Sequence, residues 1–158
     1  MTRRERVIAA LQHKKTDFVP YQIDFTQEEY EKMVRYTKDE RFYERLNGHL
    51  YIGGFGSFTD IGNDRFKDYF GVVWNREKDK DIGVVEEYLV DDADDYHYVF
   101  PKIDPGEVRR SVEAILENAE DRFSGYGIGF SLFERAWTLR GMENLLCDMI
   151  VNPGMFTL

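Results

Sequence analysis

From Gly125 to Cys147 the chain reads GYGIGFSLFERAWTLRGMENLLC, and this stretch restricts the fold more than any other. Gly125, Gly127 and Gly129 alternate with Tyr126, Ile128 and Phe130, which predicts a buried strand where other backbone approaches closely. Leu139, Met142, Leu145, Leu146 and Met149 then recur at helical spacing. Glu134, Arg135 and Trp137 fall between the two patterns, at the carboxyl end of the strand, where α/β folds build their active sites.

The remaining sequence supplies partners for such a strand–loop–helix unit. Thr2 to Glu5 and Thr26 to Glu29 both match the capping box, and each precedes a helix. Between those helices, Asp17–Phe25 reads as a strand with Pro20 at its start or edge, because proline has no donor for a ladder. Asp24 lies near that strand's carboxyl end, either as a site carboxylate or as the cap of the next turn. His49–Phe55 reads as a second strand, running into a glycine-rich loop that holds Asp60. Phe70–Trp74 and Ile82–Val90, joined by a charged turn, predict a β-hairpin inserted over residues 70–90. Asp91, Asp92, Asp94 and Asp95 do not match a calcium loop and read as a solvated helix start. Asp104-Pro105-Gly106-Glu107 opens a further helix, and Asn152-Pro153 another.

With 158 residues, 42% of them hydrophobic, the chain has enough apolar material for one domain over 1–158. No apolar run approaches the ~18 residues of a membrane span, and the polar amino terminus is unlike a signal peptide. A soluble, cytoplasmic protein is expected. The net charge of -9 makes nucleic acid and anionic membranes poor partners, since both attract basic surfaces. Cys147 has no second cysteine with which to pair and reads as a small buried hydrophobe.

Several site types are excluded by spacing. The glycines at 125–129 fall inside the strand and lack the dinucleotide fingerprint. His13, His49 and His97 are far apart and have no second ligand at a helical offset, so no metal site is expected. No serine occupies a nucleophile elbow. Asp24, Asp60 and the Glu134–Arg135–Trp137 group remain, at the ends of three strands that a parallel array would turn to one side. A carboxylate there, beside aromatic surface, suits acid–base work. The other reading is that Glu134 and Arg135 form ion pairs and Trp137 packs as core.

The segment FSLFERAWTLRGMENLLCDMIVNPGMF resembles a motif of the uroporphyrinogen decarboxylase superfamily, most closely its methyltransferase-like branch. RRERVIAALQHKKTDFVPYQIDF, YFGVVW and EEYLVDDADDYHYVFPKIDP agree with it in the same order. The resemblance implies a (β/α)8 barrel with its site at the carboxyl ends of the strands. It implies methyl transfer to or from a corrinoid, with zinc activating a thiol acceptor or the site activating a methoxy donor, and a corrinoid protein as partner. Asp60, within Phe58-Thr59-Asp60-Ile61, corresponds to the decarboxylases' catalytic aspartate, and Trp137 stands where they have a tyrosine. Asp60, Glu134 and Trp137 are thus the expected catalytic residues, with Asp24 and Arg135 binding a small-molecule substrate. Where the decarboxylases carry an arginine-rich motif, this chain has Phe25-Thr26-Gln27-Glu28-Glu29, which would repel a polycarboxylate.

A barrel of this kind takes about 250 residues. Three barrel strands are predicted here: Phe18–Phe25, His49–Phe55 and Tyr126–Phe133. The expected fold is therefore the amino-terminal part of a (β/α)8 barrel, inactive alone, that forms a homo-oligomer or joins a complementary chain. Two alternatives stand beside the methyltransferase: a uroporphyrinogen-type decarboxylase, and a non-catalytic half-barrel acting as an assembly module.

Overall fold

A computed structural model of the chain describes residues 1–56, 58–93 and 97–156. It is mixed α/β and divides into two compact units: Met1–Phe55 with Asp104–Gly127, and Gly56–Ile103 with Ile128–Leu158.

The first unit contains α1 (Arg3–Leu11), α2 (Gln27–Thr37), α3 (Phe42–Arg45), β1 (Leu50–Gly54), α4 (Pro105–Asn118) and β6 (Phe123–Gly127). Helix α1 begins with the complete capping box: Thr2 accepts from the Glu5 amide, and Glu5 accepts from the Thr2 amide. Its buried residues are Arg6, Val7 and Ala9, whereas Leu11 is exposed. Arg6 belongs inside because it has partners there. Its Nε donates to Asp17 at 2.6 Å, and its Nη1 lies 3.0 Å from Nε2 of His49, which is 0% exposed. At α4, Asp104 caps the Gly106 amide and Pro105 occupies the first turn.

Strands β1 and β6 pair in parallel, from Leu50 opposite Phe123 to Gly54 opposite Gly127. Gly53 faces α4 so closely that a Cβ there would lie 2.5 Å from Ile115. The opposite face carries Ile52, 57% exposed, with Gly54, Gly125 and Gly127 around it.

The predicted strand over 18–25 does not form. Tyr21 O accepts from the His49 amide at 2.9 Å, as a ladder would require, but the next acceptor is a side chain: Gln22 Oε1 takes the Leu50 amide at 3.1 Å. A side chain thus replaces the backbone group that would continue the pairing. The predicted Tyr126–Phe133 strand instead runs from Phe123 to Gly127. It cannot extend to 133 because Phe130 adopts φ 48°, in the left-handed region, and α5 begins at Leu132.

The second unit contains β2 (Thr59–Gly62), β3 (Arg65–Lys67), β4 (Val73–Asn75), β5 (Val84–Val85), α5 (Leu132–Arg140), α6 (Met142–Val151) and a 3-10 turn at Pro153–Phe156. The four strands form one antiparallel sheet in sequence order. The predicted hairpin is present as β4 and β5, with Trp74 opposite Val85, and two further strands precede it. Asn63 and Asp64 turn β2 into β3 with φ 54° and 56°, the paired left-handed conformation that tight hairpin turns require. Asp60 is therefore a strand residue. Val72, Trp74 and Leu139 make the buried core, with Val85, Val90, Tyr98, Phe130 and Trp137 packed around it.

Glu134, Arg135 and Trp137, expected at a strand–helix junction, lie instead on α5, and the helical spacing from Leu139 to Met149 is divided at Gly141, φ 89°, between the end of α5 and α6. Cys147 is exposed rather than buried, because α6 turns Leu145 and Asp148 inward. Of the acidic run, Asp91 and Asp92 are not helical, and Asp94 and Asp95 lie outside the described residues.

Candidate functional site

In the second unit two of the expected residues, Arg135 and Trp137, belong to a cluster built on a carboxylate that was not among the expected site residues. Asp68 follows β3, and its backbone turns tightly: the Gly71 amide donates to its carbonyl at 3.0 Å. Gly71 has φ 90°, which an L side chain would strain. The turn aims the Phe70 and Val72 amides at Asp68 Oδ1, both at 2.9 Å. Oδ2 accepts from Trp74 Nε1 at 3.2 Å and from Arg135 Nη1 at 2.7 Å. The two charged side chains are 7% and 14% exposed, so this is a buried ion pair with the carboxylate fully engaged.

Arg135 has little freedom. Its guanidinium lies 4.0 Å from the ring centre of Phe70, and Nη1 also reaches Thr138 Oγ1 at 3.3 Å. Its Nε is buried without a hydrogen-bond partner among the described residues. Trp137 packs edge-on to Trp74 at 6.4 Å and to Phe130 at 6.2 Å, and Trp74 and Phe130 approach to 5.0 Å. Tyr98 donates its hydroxyl to Phe70 O at 2.8 Å, and burial raises its pKa above the ordinary tyrosine value. Arg135 and Trp137 thus meet through Asp68, Trp74 and Phe130. The D-Y-F-G run at 68–71 was the available signal: an acid three residues before a glycine marks a turn whose carboxylate collects amides.

The other predicted residues stand apart from this cluster. Glu134 is exposed in the first turn of α5 and makes no hydrogen bond or ion pair among the described residues. Its carboxylate is open to solvent. Asp60 is exposed on β2 and accepts from the Gly62 amide at 2.8 Å. Asp24, in the first unit, accepts from Gln22 Nε2 at 3.0 Å and from the Tyr43 hydroxyl at 2.9 Å. Burial, and secondarily Asp24, raise the Tyr43 pKa.

Chemically, Asp68 has no lone pair left for a substrate proton, and Arg135 is held by Asp68. Glu134 is the predicted acid–base group most open to a ligand. No set of three metal-ligating side chains occurs among the described residues, and no helix there is long and apolar enough to cross a membrane. The chain matches no family model, no curated protein and no solved structure.

Proposed function

We propose that this chain is the amino-terminal part of a barrel enzyme of the uroporphyrinogen decarboxylase type, inactive alone, whose complete form carries out corrinoid-linked methyl transfer on a small methylated substrate. The observation that carries the reading is the β1–β6 pair. It is parallel and in register, with α4 leading into β6 and covering one face, while the other face leaves Ile52 in solvent. Parallel sheets are covered on both faces in nearly all folds, so this face calls for more protein.

In this reading Glu134 is the acid–base group, Asp60 assists it and Trp137 walls the site. Arg135 holds the start of α5 in place through Asp68. The described residues do not fit a zinc ion, so a metal would be held by protein beyond them. The fixed Asp68–Arg135 pair and the packed Trp137 favour the second reading, a non-catalytic half-barrel that assembles with a complementary chain or with itself. A uroporphyrinogen-type decarboxylase is the third, and the absence of arginine at 25–29 opposes it.

Mixing the chain with a separately expressed carboxyl-terminal half of a superfamily methyltransferase tests these readings. Restored methyl transfer supports the first, association without activity the second, and coproporphyrinogen formation the third. A stable monomer by light scattering that binds no hydrophobic dye refutes the incomplete-barrel basis of the first two.

A further inference from the structure

A cleft of about 370 Å³ opens in the first unit, at the amino ends of β1 and β6. It does not depend on the reading proposed above. Its charged walls are Arg3, Glu44, Glu120 and Arg122, with Gln22 and Tyr43 between them.

Three of the four charges are already matched. Arg3 is paired with Asp121 and with Glu120 at 3.2 Å, and Glu44 is paired with Arg41 at 2.6 Å. Arg122 differs. Its Nε and Nη2 donate to the carbonyls of Ala119 at 3.1 Å and Asn118 at 2.6 Å, at the carboxyl end of α4. Its guanidinium lies 4.4 Å from the centre of the Tyr51 ring. The hydrogen bonds of the guanidinium among the described residues are those two, both to carbonyls, which leaves Nη1 without an acceptor and the charge without an ion-pair partner there. Arg122 is also half-buried. Its field does reach the cleft: Arg41 chiefly, and Arg122 more weakly, hold the Glu44 carboxyl below its ordinary range.

We propose that this cleft binds a small monocarboxylate, received by the free Nη1 of Arg122. Guanidinium and carboxylate match in geometry and charge. The volume lies in the range of small-ligand sites. Glu44 and Glu120 at the rim make a dianion such as phosphate less welcome, because each added charge meets two carboxylates.

The test is an amide chemical-shift titration of the whole chain with sodium acetate, at ionic strength held constant with sodium chloride. Saturating shifts are expected at Asn47, Gly48, Glu120 and Arg122, with weaker binding of inorganic phosphate. Arg122→Gln is expected to weaken acetate binding at least about tenfold. Glu44→Gln alters an exposed side chain and is expected to strengthen it, so it decides the matter alone if Arg122→Gln unfolds. Acetate shifts that do not saturate, that persist in Arg122→Gln, that are equalled by phosphate, or that are unchanged in Glu44→Gln overturn the proposal.

Discussion

Replacing Asp68 with asparagine isolates the buried pair of the second unit. The new side chain keeps an oxygen for the Phe70 and Val72 amides, so the turn retains its hydrogen bonds. The amide nitrogen, however, faces Trp74 Nε1 and Arg135 Nη1, donor against donor. Arg135 then keeps its charge with no carboxylate, beside an Nε that already has no partner among the described residues. Removing one member of a buried pair costs about 3–5 kcal/mol. For an m-value near 2 kcal/mol/M, the urea midpoint falls by about 1.5–2.5 M. Trp74 and Trp137 are the chain's two tryptophans and both lie in this unit, so their fluorescence follows the transition directly. The double variant Asp68→Ala with Arg135→Met removes both charges and should recover at least about 2 kcal/mol relative to Asp68→Ala alone. An Asp68→Asn midpoint equivalent to less than about 1 kcal/mol of destabilisation, or a double variant no better than Asp68→Ala, refutes the argument.

Three further outcomes are expected. Gly54→Ala would place a Cβ 2.7 Å from the Gly127 carbonyl, so it should cost about 1–3 kcal/mol in chemical unfolding. Asp17, Asp121 and Asp148 each have a depressed pKa, held down chiefly by Arg6, Arg3 and Arg140 respectively. Their stabilisation is fully present above the unfolded aspartate value of about 4 and is lost as pH falls through the folded values. Asp17→Asn should therefore flatten the acid limb of a stability–pH curve and reduce stability at neutral pH. Cys147 should react with a thiol reagent in native buffer at a rate close to that in denaturant, because it is exposed.

The sequence disclosed the elements formed by local rules more faithfully than those that depend on distant partners. Thr2, Thr26 and Asp104 cap their helices as their spacing requires. The β4–β5 hairpin is where its alternation places it. The strand over 18–25 was not legible, because Gln22 takes a ladder position with its side chain, and no periodicity encodes that choice. The end of β6 was missed because Phe130 enters a conformation that glycine normally occupies. At the candidate site, Arg135 and Trp137 were visible as a junction, but Asp68 was not. It lies 67 residues away from Arg135, and only folding brings the two together.

Gln22 has a consequence for how such molecules meet. The β1 edge is occupied by Gln22 Oε1, with Pro20 close by in the chain and unable to donate, while the outer edge of β6 has no strand partner among the described residues. A sheet open on one side alone has a direction of growth and a stopping point. Edge-to-edge pairing of two copies of this two-stranded sheet through β6 would leave the two edges closed by Gln22 outside, so association by this route ends at a pair and does not run on into a fibre.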